Sequence, residues 1–367
     1  MLCRRLLLAC LAVGSLLAGG CQRQEARYRI VVIPKGLTHE FWQSIHRGAA
    51  RAGADLQREY GEPVEVIWDG PLRERDALAQ IRIVDRRIST RVDGIVLAPQ
   101  HSQTMVEPVR RAVEQNIPVV IIDSGLEHPE LTVKYVATDN RNGGRLAARR
   151  LLDTLKKAGK AAPRVVLFRY AVGSESTEQR ENGFLDVINE EIARQKAAGE
   201  KPVELVSDDK YAGATKDSAM RVASPLLNQF RDAHGEPTID GIFCVNESSA
   251  EGMLDSLRSL GLERKVKLVG FDSGEPLMQA LDEGTIDALI LQDPYRMGYL
   301  GTWVLVQHLR GHELVTEPDP HYLSTGEFVI TRENAHDQAT LGLFDQDAQG
   351  KRTTASLLPQ PMTLKAR

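Results

Sequence analysis

The feature that most restricts the fold is a regular alternation of short apolar runs with longer segments of helical period. The runs in the first part of the chain are RIVVI at 29–33, VEVIW at 64–68, GIVLA at 94–98 and PVVIID at 118–123. They are continuous rather than alternating, as is typical of strands that are buried on both faces. The pattern therefore predicts parallel β-sheets covered by helices.

The segments between these runs have the spacing of amphipathic helices. Apolar residues recur there every three or four positions, which places them on one helical face. The first two such faces comprise Phe41, Ile45, Ala49, Ala52 and Leu56, followed by Ala77, Ile81, Val84 and Ile88. A helix after each strand is the chain order of an α/β fold.

After KYVATDN at 134–140 the same rhythm begins again. Strands are predicted at 165–168, 203–206, 241–245, 266–271 and 288–292, and helices at 142–157, 177–196, 215–230 and 247–260. The sequence IIDSG at 121–125 is echoed by GFDSG at 270–274. Two series of similar length predict two similar doubly wound domains, because one hydrophobic core rarely covers more than about 300 residues.

Polar side chains follow the predicted strands at the point where the apolar runs stop. Asp123, Asn246, Asp272 and Gln292 all occupy such positions. In open parallel sheets, the carboxyl ends of the strands border the ligand crevice. Two domains that face each other would place these four side chains on one shared cleft.

The first twenty residues have the pattern of a secretory signal, with Arg4 and Arg5 before a short apolar run. The run is shorter than the roughly 20 residues of a membrane-spanning helix. It ends in LAGGC, which resembles the lipobox of bacterial lipoproteins and predicts a lipid anchor on Cys21. Residues 21–27 would then link the anchor to the folded domains. An ordinary signal followed by a chance cysteine is the alternative.

Composition and motifs argue against several other classes. Without the signal, the chain has 44 basic and 50 acidic residues, a formal net charge of −6, and no dense basic cluster for nucleic acid. Cys244 is then the only cysteine besides Cys21, so we expect no disulfide within the chain, and neither a metal site nor a cofactor. Phosphate-loop, serine-elbow, zinc-protease and dinucleotide motifs are absent. Paired carboxylates at Asp123 and Asp272 leave glycoside hydrolysis as the enzymatic alternative.

Seven short motifs carry a resemblance to a known family. They are HEFW after the first strand, IIDSG, ATDNRNGG, TEQRENGF, CVNES, GFDSG and ILQDP. From about residue 28 to 332, the chain resembles the periplasmic sugar-binding proteins of the ribose-binding type, the solute receptors of ABC importers. The resemblance implies two doubly wound parallel-sheet domains joined by a three-segment hinge, the type I periplasmic binding protein fold. It assigns 28–138 and 294–323 to an N-terminal lobe, 139–293 and 324–345 to a C-terminal lobe, and 346–367 to a polar tail.

The resemblance also implies a set of ligand-binding residues between the lobes. They are His39, Phe41, Trp42, Asp123, Ser124, Arg180, Tyr211, Asn246, Asp272 and Gln292. Many family members have arginine where this chain has Ser124, so a charged donor is missing there. The residue types suit a sugar for physical reasons as well, because aromatic faces pack against C–H groups and Asp, Arg, Asn and Gln saturate a rim of hydroxyls.

Several of these residues have a structural alternative. Phe41 shares the apolar stripe of its helix and is a candidate core residue. Asp123 and Asp272 precede Ser-Gly and are candidates for Asx turns, whereas Asn246 precedes a helix and is a candidate N-cap. Arg180 has the alternative of a charge on a helix surface.

The expected function is binding rather than catalysis. The resemblance implies an extracytoplasmic receptor that closes around a sugar or similar polyol, and we expect it to be a monomer. The motif LAGGC adds the expected lipid anchor on Cys21. The receptor would present this ligand to the permease and ATPase of an ABC importer. A sensory receptor that signals to a membrane partner is the alternative. Lys35, which follows the first strand, is expected to be solvated rather than to contact an anionic ligand.

Overall fold

The computed structural model describes residues 27–337, 340, 343, 354–360 and 362–367. The predicted signal, Cys21 and nearly all of the predicted linker lie outside these residues. Within the described ranges, no helix combines the length and the apolar character that a membrane crossing requires.

The strands and helices follow the predicted pattern closely. In chain order the strands are β1 (Tyr28–Ile33), β2 (Val64–Trp68), β3 (Gly94–Leu97), β4 (Val119–Ile122), β5 (Lys134–Ala137), β6 (Arg164–Arg169), β7 (Glu204–Tyr211), β8 (Gly241–Cys244), β9 (Lys267–Phe271), β10 (Ala288–Leu291), β11 (His312–Val315), β12 (Tyr322–Ser324), β13 (Phe328–Ile330) and β14 (Thr363–Ala366). The longer helices are α1 (Glu40–Tyr60), α2 (Ala77–Ser89), α3 (Val106–Glu114), α4 (Asn140–Lys157), α5 (Glu175–Ala197), α6 (Lys216–Gln229), α7 (Glu247–Ser259), α8 (Glu275–Glu283) and α9 (Pro294–Leu309).

The main strands form two six-stranded sheets, one in each domain. The N-terminal sheet has the order β12-β5-β4-β3-β1-β2 and is entirely parallel. The C-terminal sheet has the order β13-β10-β9-β8-β6-β7, in which only the edge strand β13 is antiparallel. The two orders correspond strand by strand, so the sequence echo between 121–125 and 270–274 marks equivalent strand ends. The predicted fold of two doubly wound α/β domains is confirmed.

The chain passes between the two sheets three times. It leaves the N-terminal sheet after Ala137, and α4 then packs on the C-terminal sheet. It returns after Leu291, because α9 packs against α1 and the N-terminal sheet. It crosses again between Ser324 and Phe328. Each crossing contains or adjoins one of the lobe boundaries that the resemblance assigns.

Glycines set the distance between α1 and α9 in the N-terminal domain. A Cβ atom built on Gly48 would lie 1.9 Å from the carbonyl oxygen of Tyr295, and one on Gly298 would lie 2.0 Å from that of Ile45. Both distances are far below van der Waals contact. The helices therefore approach this closely only because neither residue has a side chain.

The described part of the predicted polar tail packs on the N-terminal domain. Leu357 is fully buried in that domain's core, and Leu364 packs against the same cluster. Thr363–Ala366 forms β14, which pairs antiparallel with β11. These residues belong to the domain rather than to a separate extension, because the few apolar residues among the polar ones cover the end of its core.

Candidate functional site

A cavity of about 460 Å³, the solvent at its mouth included, lies between the carboxyl ends of the two sheets. Side chains of both domains line it. They are Lys35, His39, Phe41, Trp42, Glu74 and Asp123 from the N-terminal domain, and Tyr170, Ser174, Ser176, Thr177, Arg180, Asn246, Glu247, Ser248, Asp272 and Gln292 from the C-terminal one. Eight of the ten predicted ligand-binding residues are among them.

At the end of β4, Asp123 forms an ion pair with Lys35. The distance from Lys35 Nζ to Asp123 Oδ2 is 2.8 Å, and both side chains are buried. Lys35 Nζ also donates to Ser176 Oγ of the C-terminal domain, at 3.3 Å. The prediction of a solvated Lys35 is therefore wrong, because a carboxylate buried at this strand end needs a partner. Lys35 supplies the cation that Ser124 cannot.

Asp272 occupies the equivalent position at the end of β9. Its φ of 67° and the φ of 64° at Asp123 place both aspartates in the left-handed region, which aspartate tolerates better than most residues. Gln292 Nε2 donates to Asp272 Oδ1 at 2.5 Å, and Arg180 Nη1 lies 3.5 Å from Oδ2. Burial raises the pKa of the Asp272 carboxyl above its ordinary value, although Arg180 opposes this.

Arg180 is only 2% exposed, which excludes the alternative of a surface charge. Its Nε donates to Asn140 Oδ1 at 2.8 Å, and its Nη1 donates to the carbonyl oxygen of Val245 at 3.0 Å. The guanidinium carbon lies 3.7 Å from the centroid of the Phe271 ring. These contacts fix Arg180 against Asp272 before any ligand arrives.

Trp42, Glu74 and Tyr170 connect the two domains across the cavity. Trp42 Nε1 donates to Glu74 Oε1 at 2.7 Å, and the hydroxyl of Tyr170 donates to Glu74 Oε2 at 2.6 Å. Burial raises the pKa of the Tyr170 phenol well above its ordinary value, so the phenol keeps its proton at neutral pH. Phe41 is partly buried and meets Trp42 edge to face, with ring centroids 4.9 Å apart.

Asn246 caps α7 and also lines the cavity. Its Oδ1 accepts the backbone N–H of Ser249 at 3.3 Å, so the predicted N-cap is present. The next residue, Glu247, places a carboxylate oxygen 3.8 Å from His39 Nδ1 of the other domain. This carboxylate raises the pKa of His39 to about 9, against the opposing effect of burial. His39 is therefore a cation at neutral pH.

Two predicted residues do not line the cavity. Ser124 is buried, and its Oγ accepts the N–H of Ser176 from the other domain at 3.1 Å. Tyr211 is 43% exposed at the end of β7, with the Arg169 guanidinium 5.9 Å from its ring centroid. Because β7 is the edge strand of its sheet, its end is displaced from the cleft, and Tyr170 after the neighbouring β6 lines the cavity instead.

Sequence reasoning missed eight of the lining residues, among them Lys35, Glu74 and Tyr170. Tyr170 directly follows β6, so the strand-end rule that found Asp123 would have found it. Glu74 lies in the charged stretch LRERD, where nothing distinguishes one charge from the next. In the part of the chain that the structure describes, no group of three or more side chains is arranged to hold a metal ion.

Apart from Asp123 Oδ2, which has the Lys35 cation beside it, two buried polar atoms in the cavity wall have no hydrogen-bond partner among the described residues. They are Gln292 Oε1 and Ser174 Oγ, on side chains that are 5% and 3% exposed. An unsatisfied buried polar group costs about 1–3 kcal/mol. The amide oxygen can only accept, so a ligand that satisfies it must bring a hydrogen-bond donor.

Comparison with known proteins identifies the fold family. Residues 30–313 match the model of the periplasmic binding protein domain. The chain belongs to the periplasmic binding protein family. A related periplasmic binding protein, the D-ribose/D-allose-binding protein of Pseudomonas aeruginosa, is 29% identical over 296 residues, which cover 79% of this chain and 85% of that protein.

Two solved structures of sugar transport components are also similar to this periplasmic binding protein. The periplasmic component of an ABC-type sugar transport system from Hahella chejuensis has 30% identity and a TM-score of 0.71, over 83% of this chain and 99% of that one. A carbohydrate transporter solute binding protein from Agrobacterium radiobacter, in complex with D-arabinose, has 30% identity and a TM-score of 0.73, over 86% of this chain and 98% of that one.

The two domains of this binding protein also touch outside the cavity, through the loop that follows β6 and through the first residue of α5. Glu175 Oε2 accepts the backbone N–H of Gly125 at 2.7 Å and the hydroxyl of Tyr135 at 3.3 Å. The N–H of Ser102 donates to the carbonyl oxygen of Gly173 at 3.1 Å. Because each bond joins one domain to the other, the structure is that of a closed form.

Proposed function

We propose that this protein is the sugar-binding component of an ABC importer and holds a neutral sugar or polyol between its two domains. One observation carries the proposal. The wall of the closed cavity contains paired charges from both domains and also buried polar atoms that have no hydrogen-bond partner among the described residues. The pairs are Lys35 with Asp123, Arg180 with Asp272, and His39 with Glu247. Such a wall offers donors and acceptors at close spacing with little net charge, which suits a ring of hydroxyls.

The relatives support this choice of ligand and of partner. Their names include ribose import and D-allose-binding proteins, and their solved structures include complexes with D-arabinose and D-fucose. Names that refer to import and to ABC transport favour delivery to a permease and its ATPase over the sensory alternative. Binding without catalysis is the activity proposed for this site.

Calorimetric titration with pentoses, hexoses and polyols tests the proposal. We expect at least one of them to bind with a Kd of about 1 μM, near −8 kcal/mol, as is ordinary for a specific binding site of this kind. A folded protein that gives no heat with any class of sugar would contradict the proposal.

The lipid anchor on Cys21 is part of the same proposal, which places a monomeric protein at the extracytoplasmic face of a membrane. The support is the motif LAGGC, in which small residues precede the cysteine. Cys21→Ser is expected to move the protein from the membrane fraction to the soluble extracytoplasmic fraction. Retention of the variant in the membrane fraction would show that another feature anchors the chain.

Sugar affinity is expected to fall as the pH rises from about 6.5 to 9. His39 has an ordinary pKa of 6.5, and the Glu247 carboxylate raises it to about 9 in the closed form. The ion pair therefore strengthens closure fully below pH 6.5, and this contribution is lost as the pH rises through 9. Because His39 is partly exposed, we expect a loss of about tenfold rather than the full effect of the shift.

Titrations at pH 6.5, 8 and 9.5 measure this dependence. His39→Gln is expected to flatten it, whereas His128→Gln is not, because His128 pairs with Glu130 on the exposed surface of one domain. An equal pH dependence in the wild type and in the His39 variant would rule out this ion pair as its source.

Glu175→Ala is expected to weaken sugar binding by about tenfold or more, mainly through faster dissociation. Glu175 does not line the cavity, but it accepts two hydrogen bonds from the other domain. A hydrogen bond to a charged group contributes about 1.5–3 kcal/mol, and here this energy favours closure. Stopped-flow kinetics with the sugar found by calorimetry measures both rate constants.

Glu191→Ala is the matched control for Glu175 on the same helix. Glu191 pairs with Arg194, also on α5, at 2.8 Å. Its loss removes a charged contact within the C-terminal domain without a loss of bonds between the domains. An equal increase of the dissociation rate in both variants would contradict a specific role of Glu175 in closure.

A further inference from the structure

We propose that the ligand site continues past Phe41 into a second pocket, so that the preferred ligand is a sugar with a neutral substituent, such as a glycoside or a disaccharide. This inference rests on the proposed function, because it extends the same site. The second pocket has a volume of about 740 Å³, the solvent at its mouth included. Its lining residues are Glu40, Phe41, Ser44, Asp272, Ser273, Gly274, Glu275, Met278, Gln292 and Pro294.

The two pockets share one wall. Phe41, Asp272 and Gln292 line both of them. Phe41 is only partly buried, in contrast to Trp42, which is 3% exposed and held by Glu74. Phe41 is therefore the one part of this shared wall that no polar contact fixes, whereas Asp272 and Gln292 are hydrogen-bonded to each other.

A buried acceptor lies where the two pockets meet. Gln292 donates to Asp272 through Nε2, but its Oε1 has no partner among the described residues. A hydroxyl at the junction of two sugar units, or a hydroxyl beside a glycosidic oxygen, would reach this acceptor from either pocket. The shared wall thus offers a polar contact for the point of substitution.

The chemistry of the outer pocket differs from that of the inner cavity. Met278 and Pro294 give it an apolar side, and Ser273 lies on its border. None of the described side chains that line it is basic, and Glu40 and Glu275 lie at its exposed rim. Anionic substituents such as phosphate are therefore disfavoured, whereas a sugar unit or a small apolar group fits.

The outer pocket is built from both domains. Glu40 and Ser44 belong to α1 of the N-terminal domain, and Glu275 and Met278 belong to α8 of the C-terminal domain. A substituent placed here contacts both domains and so adds to the energy of closure. It therefore increases affinity, rather than being merely tolerated.

Calorimetry with substituted sugars tests the inference. The probes are the tightest-binding free monosaccharide and its α- and β-methyl glycosides, α- and β-4-nitrophenyl glycosides and disaccharides. We expect at least one substituted form to bind tenfold or more tightly than the free sugar. Glu40→Trp fills the outer pocket from α1. In this variant, the dissociation constants of the free and the substituted sugar should be about equal. Glu59→Trp, at an exposed position near the other end of the same helix, should preserve the tighter binding of the substituted sugar.

Glu275→Trp fills the pocket from the opposite wall. It provides a second test of the inference if Glu40→Trp does not fold. The inference is overturned if no substituted form binds more tightly than the free sugar. It is also overturned if the gain persists in both tryptophan variants. Either result leaves the proposed function intact, whereas a lack of heat with free and substituted sugars alike refutes both.

Discussion

Arg180→Met is expected to abolish sugar binding, with an affinity at least 100-fold weaker than that of the wild type. Arg180 holds the strand-end carboxylate of Asp272 and is itself held by Asn140 and Val245. Methionine retains much of the apolar stem but no donor, so Asp272 remains buried with a weaker set of partners. Removing one partner of a buried ion pair lowers the free energy of unfolding by about 3–5 kcal/mol.

Calorimetry measures the affinity, and urea unfolding of the same samples measures the stability. Arg141→Met is the matched control, because Arg141 pairs with Asp186 on the exposed surface of the same helix pair. Exposed pairs contribute about 0–1 kcal/mol, so this variant should bind and unfold almost as the wild type does. Wild-type affinity in folded Arg180→Met would contradict the assignment of Arg180 to the site.

Gly183→Ala is expected to destabilise the C-terminal domain by about 3 kcal/mol and to weaken sugar binding as well. A Cβ atom at Gly183 would lie 1.9 Å from the carbonyl oxygen of Arg141 on α4, and one at Gly144 would lie 1.9 Å from that of Arg180 on α5. A methyl group there must push the helices apart, and such overpacking costs about 1–3 kcal/mol or more. Because Arg180 is one turn from Gly183, the displacement also moves the site.

Urea unfolding with a probe in the C-terminal domain measures the loss. Gly199→Ala is the control, since a Cβ atom there meets nothing within 4 Å and only its φ of 71° is unfavourable. A residue other than glycine in that region costs about 1–2 kcal/mol. Gly183 is not among the glycines with a positive φ, so its loss must come from the helix crossing. A loss no larger than that at Gly199 would contradict the expected effect.

The fold was largely predictable because its central strands are buried on both faces. Continuous apolar runs such as those of β1 and β10 mark strand positions to within one or two residues. Among the edge strands, β2 was predicted over its full length and β7 only at its start, and the others lack this signal. β7 extends to Tyr211 through the polar stretch SDDK, and it is defined by pairing with β6 rather than by its own pattern. The short edge strands β12 and β13 were not predicted from the sequence for the same reason.

The lining of the candidate cavity was predictable where one strand end suffices to place a side chain. Asp123 and Asp272 follow buried strands, and the structure brings both to one cavity. Glu74 depends on contacts with Trp42 in its own domain and Tyr170 in the other, and no local pattern encodes such a contact. The burial of Lys35 is likewise a consequence of its partner.

A crystal structure with the tightest-binding sugar tests the central claim most directly. We expect the sugar to lie between the domains, with hydroxyl groups within about 3 Å of carboxylate oxygens of Asp123 and Asp272 and of Gln292 Oε1. A sugar bound to one domain alone, or outside the cavity, with these three side chains making no contact to it, would contradict the account.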